Sequence, residues 1–297
     1  MTQHFISVNQ VTSKFWNEIL ELSNKFSIDY KFPGNFNLPL TGYSLTNLFY
    51  EASTRTSSSF YAAMTKLGGS VIPINGVQFS SVSKGETLED TVRTVGCYSD
   101  IIALRHPQIG SAALASRYSP VPIINAGDGA GEHPTQALLD LYTIVKYFPN
   151  PESIQIGFMG DLKYGRTIHS LVTLLKKIYP KIDIHYISPP GLEIPYELNF
   201  DSFSYNKLTN ELIKNLDVLY VTRVQKERMT NLESIPSYFI SLEEVENMKS
   251  NSIILHPLPR TNELPEEIDL SSKAKYFEQM KNGLWVRMAL LYKILKE

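Results

Sequence analysis

Apolar positions along the chain follow two alternating rhythms. Residues 12–26 place Phe15, Ile19, Leu22 and Phe26 three to four apart, the spacing of an amphipathic helix. After it, short apolar runs alternate with further helical patterns. The first half predicts strands at 43–49, 70–74, 100–104 and 121–125, and helices at 57–67, 87–98 and 134–148. Gly68-Gly69 ends one of these helices, and Pro134 suits the first helical position of another. The second half predicts strands at 153–159, 183–187, 217–221 and 252–255, with helices at 166–178, 242–249 and 283–296. Between the halves lies Phe148-Pro149-Asn150-Pro151, where two prolines stop the helix and stiffen the connection. Strand–helix alternation on both sides of that break predicts an α/β protein of two domains, each with a mostly parallel sheet flanked by helices.

Length agrees with two domains, since 297 residues exceed one typical domain. Charge narrows the function: 28 Lys and Arg against 30 Asp and Glu offer no surface for a polyanion, which argues against nucleic acid. The single cysteine, Cys97, rules out an intrachain disulfide and any multi-cysteine metal cluster. The opening MTQHFISVNQ lacks the pattern of a secretory signal, and no apolar run approaches the ~18 residues of a membrane span. The expectation is a soluble, cytoplasmic protein.

In parallel sheets, ligands bind outside the carboxyl ends of the strands, where loops meet helix N-termini. The unusual residues fall there. Ser53-Thr54-Arg55-Thr56 stands between a strand and a helix, with unpaired N–H groups, three hydroxyls and a guanidinium suited to phosphate. The plainer use of the same residues is an ordinary Ser/Thr helix cap. Lys84, in the polar loop Ser80-Ser81-Val82-Ser83-Lys84-Gly85-Glu86, can reach an anionic ligand or simply meet water. Arg105-His106-Pro107 follows a predicted strand directly. Asn125 to Gln136 carries three glycines and then His133, whose place at a helix N-terminus disfavours imidazolium and leaves one N–H to polarise a carbonyl oxygen. Gln136 on the next turn can offer its amide to the same ligand.

In the second half, Gly157, Gly160 and Gly165 do not make the G-x-G-x-x-G dinucleotide fingerprint, but Arg166 opens a helix just after a strand. Arg223 and Gln225 lie on one side of an extended segment, and His256-Pro257-Leu258-Pro259-Arg260 follows another strand with a proline pair that suits a special backbone. Each arginine alone could be a surface ion pair of little consequence. Together, Arg55, Arg105, Arg166 and Arg223 at strand ends, in a chain without excess positive charge, call for a small, multiply charged anion.

The set STRT (53–56), SKGE (83–86), RHP (105–107), HPTQ (133–136), GDLKYGR (160–166), TRVQKER (222–228), HPLPR (256–260) and GLWVRMALL (283–291) resembles the catalytic chains of the aspartate/ornithine carbamoyltransferase superfamily, on the aspartate side. The motifs occur in the family's order over nearly the whole chain. The resemblance implies transfer of the carbamoyl group of carbamoyl phosphate to the α-amine of L-aspartate, the committed step of pyrimidine biosynthesis, with neither metal nor organic cofactor. It implies that Ser53, Thr54, Arg55 and Thr56 cradle the phosphate, that Thr56, Arg105 and His133 hold the carbamoyl oxygen, and that Gln136 with the carbonyls of Leu258 and Pro259 takes the carbamoyl amide. Arg166, Arg223 and Gln225 would bind the carboxylates of aspartate. Ser80 and Lys84 would reach in from a neighbouring subunit of a homotrimer, and a separate regulatory chain in a larger assembly is compatible with the family. The family divides as a carbamoyl-phosphate domain, here 1–148 with the returning helix 281–297, and an aspartate domain, 149–280.

Two positions depart from the pattern. Glu132 stands where the family more often has Gln, adding a negative charge near the phosphate, and Ser80 and Ser81 both lie near the loop serine. Three other readings compete. An ornithine carbamoyltransferase must bind a cationic side chain, which Arg166 and Arg223 disfavour. A nicotinamide-dependent oxidoreductase would use the 154–166 strand–turn–helix with Asp183 on a ribose, against the glycine spacing. A non-catalytic paralogue would be expected to lack Arg55, Lys84 or His133, and all three are present.

Overall fold

Two sheets, each wholly parallel in its strand pairings, account for the alternation. The computed structural model describes residues 4–30, 38–76, 81–200, 202–225 and 238–296. Its elements run α1 (Ser13–Asp29), β1 (Ser44–Phe49), α2 (Thr54–Lys66), β2 (Ser70–Asn75), α3 (Leu88–Gly96), β3 (Ile101–His106), α4 (Ser111–Tyr118), β4 (Ile123–Asp128) and α5 (Pro134–Tyr147). There follow β5 (Gln155–Met159), α6 (Arg166–Ile178), β6 (Asp183–Ile187), β7 (Phe203–Tyr205), α7 (Asn210–Ile213), β8 (Val218–Val221), α8 (Leu242–Asn247), β9 (Ile253–Leu255) and α9 (Tyr276–Lys296). The patterning does not predict α4, α7 or β7, all of them short. Among the described residues no helix is long and apolar enough to cross a membrane.

The chain forms two compact units, Met1–Leu139 with Lys281–Glu297, and Asp140–Met280, so the division passes within α5 and α9. In the first unit the strand order is β2-β1-β3-β4. Leu48, Ile102, Leu104 and Ile123 from the strands pack with Val92, Val95 and Ala115 from α3 and α4. Each of these Leu, Ile and Val side chains contributes about 1.5–3 kcal/mol when fully buried. The Lys281–Lys296 part of α9 closes this unit: Lys293 Nζ lies 2.7 Å from Glu18 Oε2, and Trp285 packs on Tyr30. Its approach depends on Gly283, where a Cβ would stand 2.9 Å from Leu139 Cδ2.

In the second unit the order is β7-β6-β5-β8-β9. β8 and β9 are buried on both faces, which is why they read as unbroken apolar runs rather than alternating ones. Met159, Ile187, Leu219, Val221 and Ile254 share a core with Leu212, Leu216, Val245 and Tyr276.

Strand order fixes where loops gather. In the first sheet the chain proceeds from β1 to one side and from β3 to the other, so the switch point lies between β1 and β3. In the second sheet it lies between β5 and β8. The carboxyl ends of these four strands lead into Ser53 and the first turn of α2, Arg105 near the end of β3, the 160–165 turn ahead of Arg166, and Thr222–Gln225.

Candidate active site

At the first switch point the helix begins earlier than predicted. α2 starts at Thr54 with Ser53 as its N-cap, so Thr54, Arg55 and Thr56 form its first turn rather than a preceding loop. In a run of serines and threonines every residue can cap, and patterning cannot say which one does. The Ser53 side chain makes no capping bond; its Oγ accepts instead from Arg105 Nη1 at 3.3 Å. Arg105 is likewise not beyond the strand but within it. Its register with Phe49 across β1, and the Tyr50 N–H donating to its carbonyl at 2.8 Å, carry β3 on to His106. Arg105 Nε stands 3.4 Å from Glu51 Oε2, a carboxylate that orients the guanidinium beside the α2 N-terminus. Burial pushes the neighbouring His106 below the usual imidazole value, with Glu51 and Asp128 opposing it.

The glycine-rich loop after β4 is organised by Asp128, whose carboxylate accepts the N–H groups of Gly110 at 2.9 Å and Glu132 at 2.7 Å. Gly129 is required there: its φ is 55°, and a Cβ would stand 2.1 Å from Pro107 O. The loop delivers His133 immediately ahead of α5, its carbonyl accepting the Gln136 N–H at 3.0 Å. The His133 Nε2 comes to 3.5 Å of Thr56 Oγ1, both residues buried. Glu132 turns its charge to the chain's own N-terminal segment, accepting from Ser7 Oγ at 2.7 Å and Val8 N–H at 2.8 Å. Thus Ser53, Thr56, Arg105 and His133 come together around the N-terminus of α2, the end of a helix that carries a partial positive charge.

At the second switch point Gly160 (φ 122°) bends the chain away from β5. Asp161, fully buried, accepts the Tyr164 N–H at 2.9 Å and the Gln225 N–H at 3.0 Å. Gln225 returns its side-chain Nε2 to the Tyr164 carbonyl at 2.8 Å. Arg166 opens α6, nearly buried at 7% exposure, and Arg223 is half-buried on the strand extension after β8. The motif TRVQKER is described only as far as Gln225; its remaining residues lie outside the described ones.

After β9, Leu258 has φ 53° and its peptide to Pro259 is cis. His256 accepts the Leu258 N–H on Nδ1 at 2.8 Å and faces Glu263 Oε1 with Nε2 at 2.9 Å. Burial alone would raise the Glu263 carboxyl, but hydrogen bonds from His256 and from the Thr261 hydroxyl and N–H outweigh it and bring it down to about 2. Lys84, itself exposed, ends a 3-10 turn, Ser81–Lys84, and Ser80 lies outside the described residues.

Sequence patterning misses Glu51, Asp161 and Glu263, the carboxylates that hold the expected residues. Asp161 lies inside GDLKYGR, and Glu51 and Glu263 lie just beside STRT and HPLPR. Glu51 meets Arg105 of another strand, Asp161 meets backbone N–H groups, and Glu263 meets His256 and Thr261 of its own loop. Only an acidic residue in or beside an arginine- or histidine-bearing motif could have hinted at them.

Comparison with known proteins places these loops in context. Residues 3–146 match the family model described as aspartate/ornithine carbamoyltransferase, carbamoyl-P binding domain, and residues 152–294 its Asp/Orn binding domain. The chain is 47% identical to the aspartate carbamoyltransferase catalytic subunit of Thermoplasma volcanium, over 98% of this chain and 97% of that one. It is 44% identical to part of the multifunctional protein ura1 of Schizosaccharomyces pombe, covering 97% of this chain but 13% of that much longer relative. Among solved structures, aspartate transcarbamoylase from Trypanosoma cruzi in complex with carbamoyl aspartate and phosphate superposes with a TM-score of 0.91 at 38% identity, covering 99% of this chain and 96% of that one.

Proposed function

Because the chain belongs to the aspartate/ornithine carbamoyltransferase family, we propose that it transfers the carbamoyl group of carbamoyl phosphate to the α-amine of L-aspartate, giving N-carbamoyl-L-aspartate and phosphate. The observation that carries this reading is the gathering of the α2 N-terminus, Arg105 and His133, through the Ser53–Arg105 and Thr56–His133 contacts. A dianionic phosphate suits the N–H groups of the first turn with Ser53, Thr54, Arg55 and Thr56. The carbamoyl oxygen beside it takes hydrogen bonds from Thr56, Arg105 and His133. The carbamoyl amide donates to Gln136 and to the carbonyls of Leu258 and Pro259.

Aspartate binds through its carboxylates to Arg166, Arg223, Gln225 and Lys84. Its neutral amine attacks the carbonyl carbon, the C–N bond forms as charge builds on oxygen, and collapse breaks the C–O bond to phosphate. The amine proton passes to the departing phosphate, so no covalent enzyme intermediate is needed. Catalysis then rests on positioning two substrates, worth roughly 7–11 kcal/mol at best, and on stabilising the oxyanion. Lys84 and Ser80 act in a neighbouring subunit's site within a cytoplasmic homotrimer, and the product feeds pyrimidine synthesis. The trimer is compatible with a separate regulatory chain in a larger assembly.

Ornithine is the competing acceptor. Its cationic side chain is repelled by Arg166 and Arg223, whereas the side-chain carboxylate of aspartate is attracted. Product formation from carbamoyl phosphate, run in parallel with L-aspartate and L-ornithine, tests the reading. Turnover with aspartate alone supports it; turnover with ornithine alone overturns the acceptor assignment; silence with both overturns the activity.

A further inference from the structure

Ahead of α1 the chain runs beside β4, the edge strand of the first sheet. Phe5 pairs in parallel with Ile124: its N–H donates to the Ile123 carbonyl at 2.8 Å, and its carbonyl accepts the Asn125 N–H at 2.9 Å. His4 Nδ1 accepts the Ile123 N–H at 3.1 Å, and the Ile6 carbonyl accepts from Asn125 Nδ2 at 3.0 Å. Phe5 is buried and stacks on Phe15 of α1, with ring centroids 5.5 Å apart. The next two residues meet Glu132. The Ser7 hydroxyl donates to its Oε1 at 2.7 Å and the Val8 N–H to its Oε2 at 2.8 Å. Residues 4–8 are thus bonded both to β4 and to the loop that follows it.

That loop has little else to hold it. Between Asp128 and His133 it reads Gly129-Ala130-Gly131-Glu132, so the one methyl of exposed Ala130 is all the apolar side chain it offers for packing. Two glycines also give it more backbone freedom to lose. Its conformation therefore rests on hydrogen bonds, and Glu132 collects them. The Glu132 N–H donates to Asp128 Oδ1 at 2.7 Å, its carbonyl accepts the Asp128 N–H at 3.3 Å, and its carboxylate takes the bonds from Ser7 and Val8. The next residue is His133, whose Nε2 reaches Thr56 Oγ1 at 3.5 Å.

We infer that Glu132 is a positioning residue: by tying the glycine loop to residues 4–8 it fixes the backbone from which His133 meets Thr56, and so keeps the imidazole where it stabilises the developing oxyanion. This rests on the carbamoyl-transfer reading above and deepens it. A group that stabilises an oxyanion works through its fixed place, and its effect fades when the backbone beneath it wanders. The carboxylate acts here by accepting two bonds rather than by its charge. Glutamine can reproduce them, its Oε1 accepting the Val8 N–H and its Nε2 donating to Ser7 Oγ.

The test compares the full chain with its Glu132→Ala, Glu132→Gln and Ser7→Ala variants. It records kcat with both substrates saturating, the KM for aspartate, the melting temperature, and the ring 15N signals of His133, assigned with a His133→Asn variant. Glu132→Ala should lower kcat about tenfold, leave the aspartate KM within about threefold, and shift the ring signals. Glu132→Gln should recover most of the kcat and the wild-type ring signals. Ser7→Ala removes one of the two bonds and should lower kcat about threefold, which keeps the test decisive should Glu132→Ala fail to fold. A lower melting temperature with kcat and ring signals unchanged would make Glu132 a structural anchor only and overturn the inference. A Glu132→Gln variant as impaired as Glu132→Ala would overturn it too. A wild-type protein that transfers no carbamoyl group, but whose ring signals still follow Glu132, overturns the activity and leaves the coupling of residues 4–8 to His133 standing.

Discussion

Asp161 accepts the backbone N–H of Gln225 at 3.0 Å across the second switch point, joining the loop after β5 to the loop after β8. Its other oxygen accepts the Tyr164 N–H at 2.9 Å, within the turn that leads to Arg166. One buried carboxylate therefore sets two loops at once, those that bear Arg166 and Arg223.

Removing it should cost aspartate recognition first. Asp161→Ala leaves two half-buried N–H groups without their acceptor, at about 1 kcal/mol each. The expected outcome is a rise in KM for aspartate of at least about tenfold, with kcat also falling and carbamoyl phosphate binding much less affected. Asp161→Asn keeps one acceptor and should fall between. Steady-state kinetics with each substrate varied, alongside calorimetric binding of carbamoyl phosphate, would show the split; equal losses for both substrates would count against it.

Gly160 adds a steric condition at the same place. With φ at 122° and a would-be Cβ 2.1 Å from Thr222 O, no side chain fits without parting the two loops. Gly160→Ala should destabilise the protein by about 3 kcal/mol or more and weaken aspartate binding together with it. Thermal unfolding and the aspartate KM measured on one preparation check this. A stable variant with unaltered KM would mean the loops part freely.

Much of this arrangement is legible in the sequence, and what is missed has physical causes. Apolar runs such as Ile101–Leu104 and Ile253–Leu255 identify strands because both faces of a parallel sheet are buried. The end of β3 is not legible, because Arg105 and His106 look like loop residues until Phe49 of β1, the Tyr50 N–H just beyond it and Asp128 of β4 are there to pair with them. β7 escapes notice since Phe203 and Ser204 lie exposed on an edge, without the burial that produces a pattern. The arginines at strand ends stand out as charges where ligands bind. Their supports do not: the partner of Asp161 is a backbone N–H 64 residues away, and backbone groups carry no mark in a sequence.

Arg166 and Arg223 should be separable from the phosphate half. On the proposed assignment, replacing either by alanine removes charge-assisted hydrogen bonds to a substrate carboxylate, about 1.5–3 kcal/mol apiece, so the KM for aspartate should rise by roughly 10–100-fold. Lysine at either position should recover only part, because a point charge does not reproduce the guanidinium fork. Carbamoyl phosphate affinity should stay within about threefold of wild type. If that affinity collapsed with aspartate recognition intact, the assignment of these arginines to the acceptor would be wrong.

Acid should expose the buried carboxylate after β9. The folded protein holds Glu263 at about 2, against a reference near 4.5, so the unfolded chain takes up this proton more readily. The stability Glu263 contributes is therefore fully present above about pH 4.5 and is lost as pH falls towards 2. Its full size is on the order of 3 kcal/mol, and roughly half remains at pH 3. Glu263→Gln cannot ionise and should lack this dependence. Urea unfolding of both proteins at pH 7 and pH 3 should show the gap between them narrowing by about 1–2 kcal/mol on acidification. A gap that holds constant across that range would mean that Glu263 carries no net stabilising charge, and that its hydrogen bonds to His256 and Thr261 survive protonation.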